Sequence, residues 1–364
     1  MGATSFGRQA KEKKNRLIPL RRGCIQPLLF VNIKSLMERR PFIVVTGAAG
    51  MIGSGVVRHL NDLGITDLVL VDDLKQTDKW KNLVGKKFSD LISRHKLLEW
   101  LKGRESEVEA IIHLGACSDT MEANCDYLIE NNFRFSIRLA EWALQAGKRF
   151  IYASSAATYG DGSQGFSDDE NALEELRPIN MYAFSKHLVD LWMKREGVLN
   201  QVVGLKYFNV FGPNEYHKGR MASMVLKMSH IAQKEGSISL YKSNEPDRFA
   251  DGEQCRDFIY LKDAVKMTCA LLKPQYQHVM GIYNIGMGKA TTWNRLAADL
   301  FQALNKTPQI VYVKMPPELD RQYQNYTCAD TAKFNKIFDG FPLTPISDAV
   351  REYVQEFLLT HQRW

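Results

Sequence analysis

The sequence predicts an α/β protein, with a doubly wound parallel sheet followed by a smaller mixed α/β lobe. Three observations predict it. An apolar strand runs into a glycine-spaced turn and then a helical apolar period over residues 41–64. Strand-like runs then alternate with helical periods as far as residue 208, the pattern of parallel strands joined by right-handed crossovers. After Phe208 the texture changes to shorter elements and longer loops.

Residues 41–46 are a short apolar run rich in β-branched side chains, which reads as a buried parallel strand. Gly47, Gly50 and Gly53 follow at once, and Val56, Val57, Leu60 and Leu63 then give a helical period that Gly64 stops. Glycines let a backbone approach a pyrophosphate, and the helix N-terminus offers free N–H groups and a positive dipole end. The spacing is G-x-x-G-x-x-G rather than G-x-G-x-x-G. A glycine turn alone can be an ordinary tight loop. Its place between strand and helix favours a dinucleotide site in a Rossmann-type sheet.

The next strand, residues 68–72, ends in Asp72, about twenty residues after the glycines, where an acid would hydrogen-bond the adenosine ribose. Asp73 leans towards NAD, whereas Lys75, Lys79 and Arg94 could hold the 2′-phosphate of NADP or form a solvated basic face. Residues 109–114 are a strand ending at Leu114. It runs into Gly115, Ala116, Cys117 and Ser118, a small-residue loop suited to lie against a cofactor. Residues 127–142 read as a helix carrying Asn131 and Asn132. A strand over 149–153 ends at Ser154 and Ser155, and a last strand of this part covers 201–208. Ligands bind at the carboxyl ends of strands in such sheets.

Between those two strands lies Tyr182-Ala-Phe-Ser-Lys186, the only Tyr-x-x-x-Lys among fourteen tyrosines. Four residues are just over one helical turn, so both side chains share a face. A phenol titrates near ~10, and a neighbouring ammonium is expected to lower that value. The pair can then exchange a proton with a substrate hydroxyl. Alone this spacing is as often an ordinary solvated helix face. Ser155 and the glycine turn weigh against that reading.

Residues 209–218 read as a long loop, with further loops over 243–254 and 315–324. The expected organisation is a basic, disordered extension over 1–40, a dinucleotide-binding domain over 41–208, and a mainly substrate-binding lobe over 209–364. The extension holds ten Lys/Arg against Glu12 and Glu38, a charge of +8 within a chain total of +7. The remainder is therefore close to neutral, and the basic balance gives no reason to expect nucleic acid as a partner. The extension reads as a flexible arm or as sequence before a start at Met37. No apolar run reaches the ~18 residues of a membrane span. Six scattered cysteines without C-x-x-C point to free thiols in a reducing, cytoplasmic setting, and no His or Cys pattern suggests a metal.

Several stretches together carry a resemblance. Thr46-Gly-Ala-Ala-Gly-Met-Ile-Gly53, Ser155, Tyr182 with Lys186, and Tyr207-Phe-Asn-Val-Phe-Gly-Pro213 resemble the extended short-chain dehydrogenase/reductase superfamily, whose members largely act on nucleotide sugars. Leu114-Gly-Ala-Cys-Ser118, residues 152–160, His217-Lys-Gly-Arg-Met-Ala-Ser223, Arg256-Asp-Phe-Ile-Tyr260 and residues 323–330 are similar to its ADP-L-glycero-D-manno-heptose 6-epimerase family.

That resemblance implies epimerisation at C6″ of an ADP-heptose for the lipopolysaccharide core, through transient oxidation with tightly bound NADP. It implies a homo-oligomer, a pentamer. Tyr182 and Lys186 would be the tyrosine–lysine pair, Ser155 would hydrogen-bond the reacting oxygen, and Lys218 would be a second acid–base group. Asn209, Arg220, Lys227, Tyr241, Arg256 and Tyr323 would join Ser155 and Lys218 around the substrate. Met51, Ile52, Asp72, Asp73, Lys79, Arg94, Leu114 to Ser118, Asn131 and Val210 would surround the cofactor with the three glycines. The family has Asn where Asp73 stands, Ser at Arg220 and His at Lys227, and a shorter loop before Arg256. Two enzymatic rivals belong to the same superfamily. A 4,6-dehydratase needs a carboxyl group beside the active-site serine, but Ala156, Ala157 and Thr158 follow Ser155. A 4-epimerase uses the same core residues. A non-catalytic dinucleotide-binding scaffold would commonly have lost the serine, tyrosine or lysine.

Overall fold

In the computed structural model, which describes residues 40–320 and 323–364, seven parallel strands form the central sheet. They are β1 (Phe42–Thr46), β2 (Leu68–Val71), β3 (Asp90–Ile92), β4 (Val108–His113), β5 (Arg149–Ser155), β6 (Val203–Tyr207) and, from much later in the chain, β10 (Gly281–Ile285). The order is β10-β6-β5-β4-β1-β2-β3. The chain therefore winds outward from β1 to β3 and then back through β4 towards β10. The reversal lies between β1 and β4, where a crevice opens at the carboxyl ends. The expectations for residues 1–39 lie outside the described residues.

Successive residues of β1 go to opposite faces. Ile43 and Val45 pack in one buried cluster with Val56, Val57 and Leu60 of the helix Met51–Asp62. Val44 joins the opposite cluster with Leu139 and Ala140 of the helix Phe135–Gln145. Both faces are covered, which is why the strand reads as a continuous apolar run. The helix Met51–Asp62 also lies against the helix Leu261–Ala270. A Cβ on Gly55 would come within 2.9 Å of Val265, so the small residue sets that close approach.

Residues 209–218 are not wholly a loop. Asn209–Phe211 is a strand, β7, parallel to β9 (Cys255–Tyr260), with β11 (Ala290–Thr292) antiparallel on its other side. A two-stranded parallel pair, β8 (Ile238–Tyr241) with β12 (Ile310–Val313), completes the sheets. Phe211, Val225, Phe258, Leu296, Leu300 and Tyr353 form the core of this region. The segment beyond residue 208 is interleaved with the main sheet, to which it contributes β10, and Arg40–Trp364 is one compact unit. No helix among the described residues is long and apolar enough to cross a membrane.

Candidate active site

The glycine turn is built by contact between backbones. Gly47 has φ +67°, and a Cβ there would lie 2.8 Å from the Cα of Gly115. The Gly115 N–H donates to Thr46 Oγ1 at 3.0 Å, so the two loops close on each other across the sheet's reversal point. Gly53 lies under the turn, and a Cβ there would sit 2.1 Å from the carbonyl oxygen of Gly47. The helix begins at Met51 with Gly50 as an N-cap that supplies no side-chain hydrogen bond, and its first turn holds no acid. Its end is left free for an anion, which is what a dinucleotide's pyrophosphate requires.

A cleft of about 620 Å³ runs from this turn to the Tyr182 helix. Gly47, Gly50, Met51, Ile52, Gly53, Asp72, Asp73, Lys79, Arg94, Leu114, Gly115, Ala116, Ser118, Asn131 and Val210 all line it. Ser155, Tyr182, Lys186, Asn209 and Lys218 line the same cleft. Candidates drawn from nine separate stretches thus converge on one space. At the β2 end, Asp72 accepts the Ala49 N–H at 2.8 Å and the Lys79 ammonium at 2.6 Å. Asp73 accepts from Ser93 Oγ at 2.7 Å and pairs with Arg94 at 2.6 Å. Burial alone would raise the Asp73 carboxyl, but the Ser93 hydrogen bond and the Arg94 charge outweigh it and hold it below its ordinary value. Two of the three candidate phosphate cations, Lys79 and Arg94, are therefore also partners of the two acids, while Lys75 lines the cleft without pairing either.

The helix Met181–Arg195 is N-capped by Asn180, whose side chain accepts the Ala183 N–H at 2.8 Å. This fixes Tyr182 and Lys186 one turn apart with both facing the cleft. Ser155, at the end of β5, lies beside the Tyr182 phenol and favours its ionised form, and its Oγ accepts the Ala157 N–H at 3.2 Å. The expectation that Lys186 lowers the phenol's pKa is not met. Burial is the largest influence on Tyr182 and pushes it above 10, only partly opposed by Ser155. Burial also pulls Lys186 down to about 8, against the pull of Asp190. Desolvation outweighs the opposing influence on each group, Ser155 on Tyr182 and Asp190 on Lys186. At neutral pH Tyr182 is a proton donor, and Lys186 is still charged.

Lys218 lies on the turn Tyr216–Met221, with its ammonium 4.0 Å from Met51 Sδ. It has no ion-pair partner among the described residues, and burial lowers its pKa. Neighbouring His217 is pulled down to about 4 by burial and by Lys218, so it is neutral. Asn82 holds this turn to the glycine turn, donating to Ala49 O at 3.0 Å and Asn214 O at 2.9 Å.

Other candidates fall outside this cleft. Cys117 is fixed through its backbone, its N–H donating to Asn132 Oδ1 at 2.8 Å. Asn131, read from the sequence as the structural asparagine, lines the cleft, while its neighbour Asn132 does the clamping. A π-helical turn, Ile129–Arg134, lets both asparagines point inward. Arg220 pairs with Asp119 at 2.6 Å, and Lys227 donates to the Arg220 carbonyl at 2.6 Å. Arg256 and Tyr323 belong to a second cluster. The guanidinium lies 5.1 Å from the Tyr323 ring and 5.8 Å from Trp293, whose Nε1–H donates to the Tyr323 hydroxyl at 2.9 Å. Tyr241 meets Tyr323 edge-on at 6.4 Å.

Sequence reading gave no site role to Trp293, Thr46, Tyr127, His217 or Gln324, although Thr46 and His217 lie within the motifs quoted above. Thr46, as the last residue of β1 before the glycines, was open to notice. Gln324 reaches the Gly160 carbonyl from a distant loop, a contact with no local signal.

Comparison with known proteins agrees with this fold. Residues 43–286 match the NAD dependent epimerase/dehydratase family. The chain is 46% identical over 317 residues to the ADP-L-glycero-D-manno-heptose-6-epimerase of Nitratidesulfovibrio vulgaris, covering 86% of this chain and 97% of that protein. It is 41% identical to the enzyme of the same name from Fusobacterium nucleatum, covering 87% and 98%. Among solved structures it is similar to the Helicobacter pylori ADP-L-glycero-D-manno-heptose-6-epimerase, with a TM-score of 0.72 and 27% identity over 87% of this chain and 96% of that one. A UDP-N-acetylglucosamine 4-epimerase from Methanobrevibacter ruminantium has a TM-score of 0.73 and 25% identity, covering 89% and 100%. The chain belongs to the NAD dependent epimerase/dehydratase family and is an isomerase-type enzyme that uses a nicotinamide dinucleotide.

Proposed function

We propose that this family member interconverts ADP-D-glycero-D-manno-heptose and ADP-L-glycero-D-manno-heptose by epimerisation at C6″, with NADP, supplying the lipopolysaccharide core. One observation carries the chemistry: Ser155, Tyr182, Lys186 and Lys218 share one cleft with the glycine turn. The relatives at 41–46% identity support the sugar.

The dinucleotide, when bound, supplies hydride removal from C6″ and hydride return. The protein's residues handle the proton and the geometry. Tyr182 lies within reach of Ser155, and together they hold the C6″ oxygen and exchange its proton. Lys186 keeps a positive charge beside the phenol. Epimerisation needs proton transfer on two opposed faces, and Lys218, half-buried and without an ion-pair partner among the described residues, is the second acid–base group. Asn209, Tyr241, Arg256 and Tyr323 bind the nucleotide sugar, while Arg220 and Lys227 add positive charge at the rim. Ala156 and Ala157 line the cleft where a dehydratase would place its acid. The five described cysteines are free, which supports cytoplasmic action, and the assembly is a homo-oligomer, a pentamer, checked by sedimentation. Incubation with ADP-D-glycero-D-manno-heptose should yield a mixture of the two C6″ epimers. Inert heptose together with turnover of a UDP-hexose would assign the chain as a 4-epimerase.

NADP is preferred because Lys79 and Arg94 can both serve a 2′-phosphate. Charge-assisted contacts contribute roughly 1.5–3 kcal/mol each. Lys79→Ala should therefore weaken NADP by about 10- to 100-fold and NAD far less, since NAD has no such phosphate. Titration of each cofactor into stripped protein measures this. Equal weakening would make Lys79 a partner of Asp72 only.

A further inference from the structure

We infer that the buried Asp190–Lys206 ion pair is the positioning device of the reaction, holding Ser155 in place against Tyr182 and Lys186. The inference rests on the catalytic assignment of those three residues. The pair has no contact with the cleft. Lys206 Nζ lies 2.7 Å from Asp190 Oδ2, and both side chains are fully buried, at 0% exposure. A pair this deep is a poor source of stability, because desolving two charges offsets much of their attraction. Its partners show what it does instead.

Asp190 accepts from Tyr152 OH at 3.0 Å and from Ser154 Oγ at 2.7 Å, both on β5. Lys206, on β6, also donates to Thr158 Oγ1 at 2.6 Å. Thr158 in turn donates to the Ser155 carbonyl at 2.8 Å. The pair therefore grips the chain on both sides of Ser155, at Ser154 before it and at Thr158 after it. The sheet register places Ser154 opposite Lys206 and Ser155 opposite Tyr207. On the helix, Asp190 lies four residues beyond Lys186 and eight beyond Tyr182, on the same face. One carboxylate thus sets both the rotation of the helix and the end of the strand. These are the two bodies whose separation decides whether Ser155 meets Tyr182.

The pair also acts through charge. His113 of β4 faces Lys186 but is buried and neutral, pulled down to about 3, and it bonds Thr46 Oγ1 and Ser136 Oγ. Ser185 and Asn132, also close by, are neutral and bonded to each other. Tyr182 is protonated at neutral pH. Asp190 is the carboxylate that supports the Lys186 charge against burial.

The test removes both charges at once, so that neither is left buried alone. The Asp190→Asn/Lys206→Met protein should fold and bind cofactor with little change. Its kcat should fall by about 10- to 100-fold with KM nearly unchanged, as expected when reacting groups are misplaced. The alkaline limb of its kcat profile should move to lower pH. If kcat and limb both stay where they are in a folded double variant, the inference is overturned. Should that variant not fold, Thr158→Val decides. It breaks one grip on Ser155 and touches no charge, and it should lower kcat several-fold at constant KM; unchanged kcat overturns the inference. Tyr182→Phe measured alongside keeps the two questions apart. If it stays active, the catalytic assignment fails. If it is inactive while the pair variants are normal, only the positioning role fails.

Discussion

Tyr182→Phe should lose about 10²- to 10⁴-fold in turnover, the usual contribution of a general acid–base group. Only the phenolic oxygen is removed. Ser155 Oγ beside it keeps its hydrogen bond from the Ala157 N–H, so the structural cost is at most that of one net bond, about 0.5–1.5 kcal/mol. Cofactor affinity and melting temperature should hardly change. Epimer ratios followed by chromatography, with cofactor titration as a control, read both effects. Near-normal turnover in the Phe variant would remove Tyr182 from the chemistry. The pH dependence of the parent enzyme gives a second reading. Lys186, at about 8, is charged below that value and neutral above it. If its charge supports proton exchange at Tyr182, kcat should fall as pH rises through about 8.

What the sequence made legible was local. The turn Gly47, Gly50, Gly53 and the helix holding Tyr182 and Lys186 are each specified within one or two turns of chain, by glycine spacing and helical period. Both recur in the structure where expected. What it hid depends on residues far apart in the chain. β10 pairs with β6 across more than seventy residues, and its short apolar run looks like any buried strand. Trp293 meets Arg256 only because β9 and β11 pair. The roles of Asn131 and Asn132 depend on a π-helical turn, which shifts the helical phase by one residue. The phenol's pKa went the other way because burial, which no spacing reveals, outweighs a neighbouring charge. Asp190 was passed over for the same reason. It reads as one more polar residue on a helix until β5 and β6 are placed beside it.

Gly53→Ala should cost the enzyme its cofactor, although alanine is the better helix former by ~1 kcal/mol. The added Cβ would lie 2.1 Å from the Gly47 carbonyl oxygen and 2.8 Å from its carbon. Both are backbone atoms, so no side-chain rotation relieves the contact. The turn must lift, and Gly47 is itself pressed against Gly115 on the opposite loop. Overpacking of this kind costs roughly 1–3 kcal/mol, which exceeds the helical gain. The same displacement moves the N–H groups at the start of the helix Met51–Asp62 away from the pyrophosphate. We expect dinucleotide affinity to fall at least tenfold, with a melting temperature lowered by a few degrees. Gly64→Ala is the control. Nothing lies within 4 Å of a Cβ there, but its φ is +79°. It should therefore destabilise the fold by about 1 kcal/mol through backbone strain alone and leave cofactor affinity intact. If both variants bind cofactor equally well, the close backbone approach at Gly53 is packing without function, and the pyrophosphate lies elsewhere in the cleft.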